Sequence, residues 1–211
     1  MKKNLTSAIV MMMMAMLMTM FTFTSCETDD EIIADYLTYG NWEGYLGTYY
    51  ENRWGEYVQD GEYHTVWRFK AQGYDRYGYA TSGYGDEVDY STRYRSDYAY
   101  CSFRWEVRNG NIYIDYDDSD WNPVKIDWRD YSINRSRFHG TMYDWENRAY
   151  DFDLTNTYWD WDPYYDRYWA RTRSADSTDT ADNDVYISDN GKCIATGVFA
   201  KAMQNMKKTS N

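Results

Sequence analysis

Basic residues, histidine and cysteine are scarce in this 211-residue chain, and each shortage narrows the functions to consider. Lysine and arginine together number 22 against 34 aspartates and glutamates, which gives a formal net charge of −12. A nucleic-acid partner needs a basic surface for its phosphates, so this charge argues against nucleic-acid binding. The same balance disfavours adsorption of the folded domain to an anionic membrane surface.

The few histidines and cysteines are not arranged as a metal-binding or catalytic motif. The two histidines, His64 and His139, form no His-x-x-x-His or Cys-His cluster, so no zinc site is predicted. No nucleophile-elbow sequence supports a Ser-His-Asp triad. The spacing of the three cysteines implies no disulfide framework, and a bridge between Cys101 and Cys193 would require an oxidising compartment. We therefore predict no metal and no other cofactor, and a non-enzymatic role is favoured over an enzymatic one.

Aromatic residues are abundant, and they indicate an all-β fold. They make up 20% of the chain, with 25 tyrosines and 10 tryptophans, whereas prolines number only two. Aromatic side chains favour strands and argue against disorder. The clearest signal is Asn109-Gly110, which is typical of a two-residue type I′ turn and here joins two alternating runs over 98–116. This turn pairs Arg108 with Asn111 and predicts one apolar face made of Phe103, Trp105, Val107, Ile112, Ile114 and Tyr116.

Alternation along the rest of the chain predicts about eight strands in antiparallel, up-and-down order over 40–171. The segments are 40–50, 63–71, 74–81, 98–108, 111–116, 123–128, 136–143 and 148–155. Between them, 51–62 is predicted to be a long loop or irregular ribbon, and 83–97 a loop with some extended pairing. Eight strands can close into a barrel, but alternation does not distinguish a closed barrel from a β-sandwich. A short helix through Tyr39 is predicted before the strands. After them, 172–211 is predicted to be a disordered or loosely docked tail with a short helix at 193–208.

The N-terminus has the features of an export signal. Two lysines precede an apolar stretch over 8–23, which is short for a membrane-spanning helix and ends at Phe-Thr-Ser-Cys26. This segment resembles a bacterial lipoprotein signal. The resemblance implies that residues 1–25 are removed, that Cys26 is acylated, and that 26–39 forms a lipidated tether followed by the short helix. The alternative is an ordinary signal peptide with an incidental cysteine.

An acidic run at 27–31 directly follows Cys26. It is similar to the run that directs lipoproteins of the Bacteroidetes group to the outer face of the outer membrane. The resemblance implies an outer-membrane protein, lipid-anchored and exposed at the cell surface. The alternative is a solvated tether that carries no localisation signal, which acidic residues also form well.

A second resemblance concerns the strands. The short helix leads into Gly40-Asn41-Trp42, and the segments 67–73 and 105–112 read WRFKAQG and WEVRNGNI. These features resemble lipocalins and the lipocalin-like domains of Bacteroidetes lipoproteins. The resemblance implies a lipocalin-like barrel over 40–171 in which Trp42 closes the floor and a basic residue near the last strand, Arg167 or Arg171, packs on it.

Three functions remain open on the sequence. The first is binding of a small molecule in the mouth of a lipocalin-like barrel. The second is a surface glycan-binding or adhesion module whose exposed aromatics stack on sugars. The candidate residues for that platform are Trp159, Trp161, Tyr164, Tyr165 and Trp169. The third is an enzyme, which would need a cleft with two facing carboxylates or a bound metal.

Overall fold

The computed structural model describes residues 29–74, 78–93, 97–118, 121–158 and 185–209. Within these ranges the chain is mostly strand, with one helix at each end. The elements are α1 (Asp29–Thr38), β1 (Asn41–Glu51), β2 (Tyr57–Ala71), β3 (Ser82–Ser91), β4 (Tyr98–Arg108), β5 (Asn111–Tyr116), β6 (Val124–Ile126), β7 (Tyr131–Ile133), β8 (Arg137–Asp144), β9 (Ala149–Thr157), β10 (Val185–Ile187), β11 (Cys193–Thr196) and α2 (Gly197–Thr209).

Eight of the strands form a closed antiparallel barrel. Strands β1 to β6 pair in chain order, β6 pairs with β8, β8 with β9, and β9 returns to β1. Strand β7 pairs with β8 outside this ring. The predicted up-and-down barrel is therefore confirmed, and the β-sandwich alternative is excluded because the sheet closes on itself.

The β4–β5 hairpin has the register that its turn predicts. Arg108 pairs with Asn111, Trp105 with Ile114, and the pairing continues to the last residue of β5. Asn109 and Gly110 have φ values of 53° and 75°, the left-handed conformation that a type I′ turn needs at both central positions. The apolar face of the hairpin is buried in the barrel core.

Strand β3 lies where a loop was predicted, and this part of the prediction is wrong. The expected strand at 74–81 precedes the observed one, which begins at Ser82. The glycines that suggested a loop are instead required by close packing in the barrel wall. A Cβ atom on Gly83 would lie 1.9 Å from the Lys70 carbonyl oxygen, and one on Gly85 would lie 2.3 Å from the Phe103 ring. Strand β2 is also longer than predicted, because it begins at Tyr57.

Helix α1 closes one end of the barrel, which we call the floor. Ala34 and Leu37 are buried, and the fully buried Trp42 donates its indole N–H to the Leu37 carbonyl oxygen over 2.9 Å. The Asp30 carboxylate accepts hydrogen bonds from the backbone N–H groups of Asn109 (2.9 Å) and Gly110 (2.6 Å). The helix is thus fastened to the β4–β5 turn at the floor. Next to it the barrel is filled by a continuous core of Trp42, Trp67, Phe69, Phe103, Trp105, Phe138, Phe152 and aliphatic side chains.

The C-terminal elements dock on the barrel. Strand β11 pairs with the first half of β4, beside the half that pairs with β5, and β10 pairs with β11. A disulfide joins Cys101 of β4 to Cys193 of β11, across 92 positions of sequence. Helix α2 begins at Gly197, so 193–196 is a strand rather than part of the predicted helix. No helix in the described ranges is both long and apolar enough to cross a membrane.

Candidate functional site: a cavity at the barrel rim

A cavity of about 230 Å³ lies at the barrel end opposite α1, which we call the rim. It is bounded by inward-facing residues of the barrel strands, by Trp121 and Asn122 before β6, and by α2, which we call the roof, and it is partly open to solvent. Aromatic and aliphatic side chains form most of its walls, and two acidic side chains, Glu87 and Asp89, also line it. The aromatic members are Tyr63, Tyr116, Trp121, Tyr150 and Phe199.

The pleat of β3 places both carboxyl groups inside the barrel. Glu87 and Asp89 are two residues apart, so their side chains point to the same face. Glu87 lies opposite Trp67 of β2, and Asp89 lies opposite Thr65 of the same strand. Only 2% of Glu87 and 7% of Asp89 is exposed to solvent.

Donors to the two carboxyl groups are few. The Tyr116 hydroxyl donates a hydrogen bond to Glu87 Oε2. Asp89 Oδ1 has no hydrogen-bond partner, and Thr65 Oγ1 and Trp67 Nε1 beside the pair make no hydrogen bond of regular geometry. No lysine or arginine in the described ranges forms an ion pair with Glu87 or Asp89. Buried charge without a partner is costly, so the site favours protonated carboxyl groups.

The pKa values of the pair respond to this environment. Burial raises the pKa of Asp89 to about 7, although Thr65 and Glu87 act in the opposite direction. Burial, followed by the charge of Asp89, raises the pKa of Glu87 well above its ordinary value, and the nearby polar groups of Tyr116 and Trp67 offset only part of this rise. Burial therefore favours the protonated form of Glu87, which interacts directly with Asp89.

Asp144, a third acidic residue at the rim, is a buried carboxylate whose hydrogen bonds are satisfied. It accepts hydrogen bonds from the backbone N–H groups of Glu146 and Arg148, and from the side chains of Arg148, Asn122 and Tyr150, at 2.8–3.2 Å. Burial opposes ionisation, but these donors lower the pKa of Asp144 below its ordinary value. Asp144 is thus a structural anion that holds the β8–β9 turn, whereas Glu87 and Asp89 lack such a set of donors.

The roof is attached to the barrel at several points. The Cys101–Cys193 disulfide fixes β11, and the hydroxyl of Tyr186 donates to Asp118 over 2.9 Å. Asp97 accepts a hydrogen bond from the backbone N–H of Val198 in the first turn of α2, at 3.1 Å. Beneath these contacts, Ala200 and Met203 pack with Ala99, Tyr186 and Ala195 in a separate apolar cluster. The cavity is therefore built jointly by the barrel and the C-terminal segment.

Most of the residues singled out in the sequence lie elsewhere. Trp159, Trp161, Tyr164, Tyr165 and Trp169 fall outside the described residues, and so do Cys26, Arg167 and Arg171. Gly40 and Trp42 lie at the floor, where a Cβ atom on Gly40 would come within 2.5 Å of the Asn156 side chain.

Glu87 and Asp89 were missed because they lie in the segment that was predicted to be a loop. Their alternation with Val88 and Tyr90 could have indicated a strand at this position, but that pattern assigns the two acids to the solvent face.

The carboxyl pair does not have the geometry of a glycosidase. Such enzymes keep their two carboxyl groups about 5 Å or more apart, so that a sugar or water fits between them. Glu87 and Asp89 are instead close enough to interact directly. A metal site is not indicated either, since no group of three or more acidic, histidine or cysteine side chains suited to a metal occurs among the described residues.

Comparison with known proteins gives no relative from which a function can be transferred: no family model, no curated protein and no solved structure matches the chain.

Proposed function

We propose that this protein is a non-enzymatic, lipid-anchored, lipocalin-like protein of the bacterial cell envelope that binds a small molecule at the rim of its barrel. The observation that carries the proposal is the 230 Å³ cavity, walled by aromatic side chains and containing two poorly satisfied carboxyl groups. A concave, mainly apolar site with a few convergent polar groups is the usual form of a ligand site.

The volume limits the ligand to a small compound. An apolar cavity of about 150 Å³ accommodates benzene. A volume of 230 Å³ therefore suits one ring with a short substituent, and it is too small for a long acyl chain. The continuous core between the cavity and the floor leaves no deeper space for a lipid tail.

The proposed anchor and the proposed site lie at opposite ends of the barrel. Cys26 precedes the first residue of α1 by three positions, and three residues span at most about 11 Å. Because α1 closes the floor, an acyl group on Cys26 would hold the floor next to the membrane and leave the rim facing away from it. The Cys101–Cys193 disulfide also supports an oxidising compartment, as expected for an exported protein.

Binding can be tested by native mass spectrometry of the full-length protein, purified in detergent from its own host. We expect a co-purifying small mass that is lost on denaturation. Ala202 is an exposed residue of α2 that lines the cavity, so Ala202→Trp should block the cavity from its open side and abolish the additional mass. Val198→Trp is the matched control, because Val198 is an exposed residue of the same helix and does not line the cavity. A ligand-free wild type, or equal retention by both variants, would contradict the proposal.

The anchor can be tested separately. Cys26→Ala should move the protein from the membrane fraction to the soluble fraction and remove the mass of the acyl groups. If the variant stays in the membrane fraction, attachment does not depend on Cys26.

A further inference from the structure

The chemistry of the cavity also indicates a class of ligand, an inference that rests on the proposed function. We propose that the cavity binds a small organic cation, a protonated amine with a ring-sized body, whose ammonium group lies at the carboxyl groups of Glu87 and Asp89.

The hydrogen-bonding capacity of the carboxyl pair, Glu87 and Asp89, is only partly used. Asp89 is more than nine-tenths buried, lines the cavity, and has an oxygen, Oδ1, that makes no hydrogen bond of regular geometry. The same barrel end supplies five hydrogen bonds to Asp144, so the fold is capable of satisfying a buried acid at the rim. An ammonium group brings up to three N–H donors and a positive charge, which are what Asp89 and Glu87 lack.

The walls favour a cation over a neutral ligand. Tyr116 and Trp121 line the cavity with their ring centroids 5.1 Å apart, and Tyr63 stands 5.2 Å from Phe199 of the roof. Aromatic faces attract ammonium groups, by as much as about 2 kcal/mol when water is excluded. A ligand that carries both a ring and a charge would use the aromatic walls and the carboxyl pair together.

The one cationic side chain of the cavity lining does not oppose this assignment. Arg148 is held by Asp144 and Glu146, each at 2.8 Å, so its charge is balanced by its own partners. The net charge of −12 adds a long-range attraction for cations. An inorganic divalent ion is disfavoured, because calcium takes six or more oxygen ligands and the lining of this cavity is mainly apolar.

The test compares two probes that differ mainly in charge, 2-phenylethylamine and 2-phenylethanol. Their binding to the full-length protein in detergent is measured by isothermal titration calorimetry at pH 7. We expect the amine to bind at least tenfold more tightly than the alcohol. In the double variant Glu87→Gln, Asp89→Asn the amine should lose this advantage, while the alcohol keeps its affinity. Asp115→Asn, an exposed change of one charge on β5, should behave as wild type.

The outcomes separate the ligand class from the binding function itself. Equal binding of amine and alcohol to the wild type would overturn the cation assignment and retain small-molecule binding. If neither probe binds, native mass spectrometry decides. A bound amine supports the assignment, a bound neutral or anionic compound overturns it, and the absence of any bound mass overturns both proposals. The wild-type comparison needs no variant, so it stands even if the double variant does not fold.

Discussion

Replacing Asp89 with asparagine is expected to make the stability of this protein less sensitive to rising pH. The folded state raises the pKa of Asp89 from 3.8 to about 7. Between these two values the folded chain holds a proton at Asp89 that the unfolded chain has already released. The free energy of unfolding therefore falls as pH increases from about 4 to about 7, and this group causes no further change above that range.

The expected magnitude follows from the size of the shift. A difference of about three pKa units corresponds to about 4 kcal/mol, at 1.36 kcal/mol per unit. Because asparagine does not ionise, Asp89→Asn should match the wild type near pH 4 and exceed it by up to about 4 kcal/mol at pH 8. Between pH 5 and 7 the slope of the stability curve should fall by as much as about 1.4 kcal/mol per pH unit.

The assay is urea unfolding of both proteins in the same detergent, followed by tryptophan fluorescence at each pH from 4 to 8. Asp115→Asn provides a control with the same change in formal charge at an exposed position of β5. For the control, the free energy of unfolding should change with pH in the same way as for the wild type, from pH 4 to pH 8. If Asp89→Asn also runs parallel to the wild type, Asp89 is not held as a neutral buried acid, and the account of the carboxyl pair fails.

Three further predictions concern the structure around the site. The double change Cys101→Ser, Cys193→Ser removes a bridge across 92 positions and should cost about 4–5 kcal/mol in guanidinium unfolding, while a reductant should destabilise the wild type and leave the variant unchanged. Asp30→Ala should cost about 2 kcal/mol and speed amide hydrogen exchange at the β4–β5 turn, because two backbone N–H groups lose their acceptor. Gly44→Ala should reduce the free energy of unfolding by about 1–3 kcal/mol and so lower the melting temperature, since its Cβ would lie 2.2 Å from the Asp153 carbonyl oxygen. An unchanged melting temperature would show that the two strands separate easily.

The hairpin and the short helix could be predicted because their signals are local. Asn109-Gly110 determines both the turn and the register of its strands, and no other part of the chain is needed to infer them. Strand β3 was missed because a glycine can either end a strand or allow close packing within one, and the sequence does not distinguish the two roles. At Gly83 and Gly85 the absence of a side chain makes room for Lys70 and Phe103, which are neighbours only in the folded barrel.

The site depends on contacts that are still more distant in sequence. An acidic residue in an alternating run is ordinarily assigned to the solvent face, and only closure of the barrel turns Glu87 and Asp89 inward. Likewise, no local signal places Cys193 beside Cys101, because β11 joins the edge of β4 after a long intervening segment. The cavity therefore belongs to the closed fold, and its composition could not be predicted from local patterns.

The disulfide between β4 and β11 also implies an order for the steps by which the protein folds. Cys193 lies after all eight barrel strands in the chain, so the barrel can close before the cysteine that holds β11 is available. Completion of the cavity then depends on an oxidation step that follows barrel closure. We expect a newly made chain to pass through an open, reduced form that is folded yet lacks the finished cavity, so that oxidation rather than synthesis determines when the cavity is complete.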